Sequence, residues 1–216
     1  MIRYRRRYWF LAAALSAVAG FVDAVAFVHL GGFFVSFMSG NSTRLGVGLA
    51  GNGAEAALAA GLVAVFILGV ILGTLTNRRA DRAGSVRVTV LVAITLALAA
   101  TLSGLGATGV GIALLALAMG AENAVFQRDG EVSIGLTYMT GTLVRAGQRM
   151  AAALLGGPRF DWLPYLLLWA GLVAGACTGA ATYAEFGLAS IWAAAAASGV
   201  LALVFATLRD PQHSEA

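Results

Sequence analysis

The chain of 216 residues has no lysine, one cysteine and two histidines, and only 11% of its residues are charged. A lone cysteine, Cys177, excludes an intramolecular disulfide framework. It falls within an apolar run and reads as a small packing residue. Two histidines, His29 and His213, form no cluster with metal-ligand spacing, and neither a phosphate loop nor a dinucleotide fingerprint is present. No cofactor and no metal are expected. The scarcity of charge, set against 60% apolar residues and a mean hydropathy of +0.86, excludes a soluble domain of this size.

What is present is membrane-type sequence. Apolar runs long enough to cross roughly 30 Å of hydrocarbon as helices fall at Tyr8 to Leu30, Ala56 to Thr76, Val88 to Leu105, Thr108 to Phe126, Trp162 to Tyr183 and Phe186 to Leu208. Two further segments, Phe33 to Ala50 and Val132 to Leu155, are apolar but carry Gly, Ser, Thr, Asn and Arg at their centres. Charge placement decides whether these two cross. With six spans and an inner N-terminus, Arg3, Arg5, Arg6, Arg7, Arg78, Arg79, Arg82, Arg87, Arg128, Arg149, Arg159 and Arg209 fall inside and Arg44 outside, as the positive-inside rule requires. A crossing at Phe33 to Ala50 would put the Arg78 to Arg82 loop outside. Both segments are therefore read as re-entrant or broken, a backbone arrangement tolerated at membrane depth only where protein or a watery cavity covers it.

The same distribution accounts for the basic pI of about 9.8, so no nucleic-acid partner is expected. Arg3 to Arg7 followed by an apolar run resembles a signal peptide with a cut near Ala19, but the run continues past Asp23 into repeated sequence and reads as an uncleaved first span. The chain is expected to be a single transmembrane domain over residues 1–216, in the bacterial inner membrane, with both termini cytoplasmic.

An internal repeat organises the chain. Asp23 aligns with Asn123 at an offset of 100, and Met38, Gly40, Arg44 and Gly46 align with Met139, Gly141, Arg145 and Gly147 at 101. Repeat one covers about 8–105 and repeat two about 108–208. Three spans per repeat is an odd number, so the second repeat is expected upside down relative to the first. Inverted repeats with glycine-interrupted polar segments in matching positions point to the binding site of a secondary transporter. The expected fold is all-α, with six transmembrane helices in two inverted three-span repeats.

Two constellations carry the chemistry. An ionisable group within a span is costly and often marks an ion or proton path, so Asp23, its counterpart Asn123 and the neighbouring Glu122 are the candidate coupling or gating residues. Their bland readings are an Asp23–Arg44 pair and a solvated end-of-helix Glu122. The candidate substrate-binding residues are Met38, Ser39, Gly40, Asn41, Thr43 and Arg44 with Tyr138, Met139, Thr140, Gly141, Thr142 and Arg145. Glycine lets the chain leave helical geometry, small polar residues cap a half-helix, and an arginine one turn later favours an anionic substrate. Tight helix packing is the alternative use of such small residues. Phe27, Phe37 and Phe126 are candidates for an apolar part of the same cavity. His29 lies ten residues before Ser39, but no nucleophile-elbow pattern accompanies them and no enzyme is expected.

The stretches Ala19-Gly-Phe-Val-Asp-Ala-Val-Ala-Phe27, Phe37-Met-Ser-Gly-Asn-Ser-Thr-Arg44, Met119-Gly-Ala-Glu-Asn-Ala-Val-Phe126 and Thr137-Tyr-Met-Thr-Gly-Thr142 closely resemble the YoaK-like bacterial membrane family, catalogued as domain of unknown function 1275. The resemblance covers nearly the whole chain. It implies a small bacterial inner-membrane protein of about six spans and carries no substrate. The function expected from the repeat is a small-molecule secondary transporter, with a proton-coupled exporter as its fuller form. A channel for ions or small solutes and a non-transporting interaction or assembly protein remain open. The expected partners are the lipid bilayer and a small solute, anionic if Arg44 binds it, and a homodimer is compatible with the reading.

Overall fold

The computed structural model describes residues 6–78, 81–128 and 131–208. Eight α-helices lie among them: α1 Arg6–His29, α2 Met38–Gly51, α3 Gly53–Thr76, α4 Arg82–Gly104, α5 Thr108–Glu122, α6 Met139–Leu154, α7 Leu163–Phe186 and α8 Ile191–Thr207. The one strand pairing among the described residues is antiparallel, Gln127–Arg128 with Glu131–Val132. Four apolar helical stretches are long enough to cross a bilayer, namely Tyr8–His29, Gly53–Thr76, Arg82–Gly104 and Leu163–Thr207, the last containing both α7 and α8; Thr108–Glu122 is a shorter apolar helix. This is the architecture of a polytopic membrane protein.

The outer faces suit hydrocarbon. Leu75 is 56% exposed and Leu203 69% exposed, and such side chains have nothing to gain from leaving lipid. The interior is built from small residues. Along α7, a Cβ added at Gly171, Gly175 or Gly179 would meet the backbone carbonyls of Ala13, Ala17 and Phe21 on α1, so the two helices run in the same direction with their backbones in contact. The reciprocal glycine is Gly20, which lies against Leu172. The pair α3–α5 repeats this. Gly69 and Gly73 lie on the carbonyls of Leu117 and Ala121, and Gly120 lies on that of Phe66. Ala17, Phe21 and Gly20 correspond to Leu117, Ala121 and Gly120 at an offset of 100, while Gly69, Gly73 and Phe66 correspond to Gly175, Gly179 and Leu172 at 106.

The remaining packing follows the same symmetry, within the repeats and between them. Helix α2 lies on α3 as α6 lies on α7, α4 lies on α5 as α8 lies on α1, and α4 and α8 pack on each other. The first helix of each repeat thus binds the third of the other.

Both ambiguous segments resolve into an irregular stretch followed by a short helix. Helix α2 has 14 residues and α6 has 16, or roughly 21 and 24 Å at ~1.5 Å per residue; α5 is as short, at 15 residues, but is the more apolar. Helix α1 ends in a turn where Gly32 adopts φ 104° and donates its N–H to the Phe27 carbonyl at 2.8 Å. Two sequence expectations need correction. The fourth span stops at Glu122 rather than Phe126, because Asn123, Ala124 and Val125 make i→i−3 bonds to Gly120, Ala121 and Glu122. Cys177 is exposed on the outside of α7 and is not a packing residue.

Candidate functional site

The irregular stretch before α2 is held by Asp23. Its Oδ1 accepts the N–H groups of Val35 at 2.7 Å and Ser36 at 2.8 Å, and its Oδ2 accepts the Ser36 hydroxyl at 2.9 Å. Buried Asn41 reaches back to the same stretch, accepting the Phe34 N–H at 3.0 Å and donating to the Phe34 carbonyl at 2.6 Å. In the second repeat Asn123 has the place of Asp23. Its Oδ1 accepts the Thr137 hydroxyl at 3.0 Å while its Nδ2 donates to the Met119 carbonyl at 3.0 Å. Ser36 and Thr137 are themselves related by 101 residues, so both repeats tie a hydroxyl just before the short helix to the helix that precedes it. A cross-link between repeats completes the frame, where buried Ser16 of α1 donates to the Leu136 carbonyl at 3.1 Å.

The two tied stretches meet at a cavity of about 200 Å³. Ser36, Phe37, Met38 and Ser39 line one side, Thr137, Tyr138, Met139, Thr140 and Gly141 another, and Phe66 of α3 adds a ring. Each repeat therefore contributes the same tetrad of hydroxyl, aromatic, methionine and hydroxyl at an offset of 101. No charged side chain is in the lining. A cavity of this size admits a compact solute, since about 150 Å³ already accommodates benzene.

Of the residues singled out from sequence, Met38, Ser39, Tyr138, Met139, Thr140 and Gly141 come together at this cavity. Gly40, Asn41, Thr43, Arg44, Thr142 and Arg145 do not line it. Gly40 and Gly141 sit in the first turns of α2 and α6 rather than at the helix breaks, which precede Met38 and Met139. A Cβ at Gly40 would press on the rings of Phe37 and Phe34, whereas Gly141 has open space beside it. The N-cap residues are Phe37 and Tyr138, and neither uses a side chain to cap. Thr43 donates to the Ser39 carbonyl at 3.2 Å, and buried Thr142 donates its N–H to the Tyr138 carbonyl at 3.0 Å. Arg44 stacks over the Phe33 ring, 4.5 Å from its centroid, and makes no ion pair with Asp23; the Asp23–Arg44 pair considered from sequence is replaced by the amides of residues 35 and 36. Arg145 is exposed on α6. His29 Nδ1 lies 2.9 Å from the Tyr183 hydroxyl, tying the end of α1 to α7.

Sequence reasoning missed Ser36, Thr137 and Phe66. The first two were readable by extending the aligned block two residues towards the N-terminus at the same offset of 101. Phe66 carries no such signal, because nothing in one sequence says which face of α3 meets the irregular stretches.

The chain matches the family model described as "Protein of unknown function (DUF1275)" over residues 11–204. It is 34% identical over 205 residues to the UPF0700 transmembrane protein RA0705 of Rhizobium meliloti (strain 1021), covering 94% of this chain and 87% of that protein. Its identity to the UPF0700 transmembrane protein YoaK of Bacillus subtilis (strain 168) is 30% over 142 residues, covering 62% of this chain and 63% of that protein. No solved structure matches.

Proposed function

The chain belongs to the DUF1275 family, whose matched relatives are transmembrane proteins, and on that footing we propose that it is a secondary transporter for a compact small molecule. The observation that carries this reading is the cavity lined by the same tetrad from each repeat. A site at the junction of two repeats, framed by broken helices, is what alternating access needs.

In this reading α1, α3, α4, α5, α7 and α8 cross the inner membrane, with both termini cytoplasmic and the repeats inverted. The exchanged packing supports it. Parallel pairs α1–α7 and α3–α5 each draw one helix from each repeat, so the bodies that rock are those pairs rather than the repeats themselves. Transport runs as proton-coupled export, with Asp23, Glu122 and Asn123 as the groups available for coupling or gating. Because the two arginines lie off the cavity, the solute is bound by hydroxyls and by aromatic and methionine surfaces, and an anionic charge is not required.

A thermal-stability screen of purified protein would nominate a solute, and counterflow of that solute in proteoliposomes is the test. Saturable counterflow that is lost in Thr140→Leu, which removes a lining hydroxyl and narrows the cavity, supports transport. Non-saturable flux would instead indicate a channel. Normal behaviour after loss of both tetrads would indicate an interaction or assembly role.

A further inference from the structure

Two carboxylates lie within the helical bundle among the described residues, and they differ in their surroundings. Asp23 has three donors on its two oxygens. Glu122 is fully enclosed, and neither Oε1 nor Oε2 meets a donor. The hold exerted by Asp23 does not need a titratable group, since Asn123 performs it in the other repeat with a neutral amide. Nor does packing need a carboxylate at position 122. The residue in that place in the first repeat is Val22, equally buried.

Glu122 also sits where motion would reach it. It is the last residue of α5, at the point where the chain leaves helical geometry. The next residue, Asn123, holds the Thr137 hydroxyl, and Thr137 lines the cavity. A shift of the second tetrad therefore acts directly on the end of α5. An unpaired charge enclosed in this way is strongly unfavourable, so the carboxyl must gain a proton, a partner or water whenever the surroundings change.

Resting on the transporter reading above, we propose that Glu122 is the group that takes up and releases the driving proton, and that Asp23 is a positioning residue for the stretch before α2. The step is a proton exchange. The carboxyl O–H breaks with its proton passing to water when one face opens, and the bond re-forms from water on the other face. Of the elements packed on α5, α3 bears Glu55, α4 bears Arg82 and Arg87, and α1 bears Asp23 and His29 beyond its arginine-rich start. Glu55 is bonded to Asn52, Arg87 pairs with Asp81 and His29 with Tyr183. None of them supplies a donor to Glu122.

The test compares full-length parent protein with Glu122→Gln, Glu122→Val and Asp23→Asn, using infrared spectroscopy and a pH-sensitive dye trapped in proteoliposomes. Glu122→Val copies the first repeat and guards against a variant that fails to fold. The expected results are a protonated-carboxyl stretching band at neutral pH, lost in both Glu122 variants and kept in Asp23→Asn, and a loss of pH-gradient-driven solute uptake in Glu122→Gln with counterflow preserved. A band unchanged in the Glu122 variants, uptake still driven by the pH gradient in Glu122→Gln, or uptake driven by a sodium gradient alone would overturn the assignment. If the parent protein shows the Glu122 band and no counterflow, the transporter reading fails while the proton site stands.

Discussion

Gly175 and Gly69 offer the most quantitative test of the exchanged packing. In Gly175→Ala the new Cβ would overlap the Ala17 carbonyl of α1, and in Gly69→Ala that of Leu117 on α5. Backbone cannot rotate away as a side chain can, so the helices must separate. Overpacking of this kind costs about 1–3 kcal/mol, and the rigid neighbour argues for the upper end. Against it, alanine in a helix gains about 0.5–1 kcal/mol over glycine. The net expectation is a loss of about 2 kcal/mol for either variant. Gly61 and Gly199 lie in α3 and α8 with nothing within 4 Å of an added Cβ, so their alanine variants should be neutral or stabilised by up to about 1 kcal/mol. Equilibrium unfolding in mixed micelles reads the difference. The pairs α1–α7 and α3–α5 share no glycine contact, so the double variant should lose close to the sum of the two effects. Equal stability changes at Gly175 and Gly61 would refute the backbone contact, and with it the exchanged pairing of the repeats.

Other expectations can be stated more briefly. Asp23→Ala strands the Val35 and Ser36 amides and the Ser36 hydroxyl, and thermal melts should show a loss of about 2–3 kcal/mol, compared with about 1–2 kcal/mol for Asn123→Ala, which strands the Thr137 hydroxyl and the Met119 carbonyl. A double-mutant cycle on His29→Ala and Tyr183→Phe should give a coupling of about 1 kcal/mol; a coupling of zero would mean that the 2.9 Å contact is not a working bond. With Cys177→Ala as background, an impermeant thiol reagent added from outside should label cysteines at Gly53 and Gly106 and spare one at Ala83, whereas labelling at Ala83 would contradict the six-span inverted topology.

The fold was legible in the sequence to the degree that lipid dictates it. Apolar run length located the helices long enough to cross a bilayer, because hydrocarbon thickness leaves little freedom. The end of α5 was not legible, since what stops it at Glu122 is Asn123 bonding to Met119 and to Thr137, a residue 14 positions further on. The four-residue spacing of Gly171, Gly175 and Gly179 is visible as a pattern, but their partners on α1 are distant in sequence and appear only in three dimensions. The candidate site was half legible. Offset-101 alignment found five of the eight tetrad residues outright as binding candidates and Phe37 as an apolar lining candidate. It over-weighted Arg44 and Arg145, because a charge near a glycine-rich helix start looks like an anion site until the side chain is seen to leave it: Arg44 for the Phe33 ring and Arg145 for the exposed face of α6.

The central claim is that one cavity, built from both repeats, opens to one side of the membrane at a time. Its most direct test is two-sided accessibility of Ser39→Cys and Thr140→Cys, each in a Cys177→Ala background, using an impermeant thiol reagent on right-side-out and inside-out vesicles. The expected result is that both positions react from both faces, and that a reagent bulky enough to fill about 200 Å³, once attached at either position, stops further exchange. Failure of both cysteines to react from one of the two faces would contradict the claim.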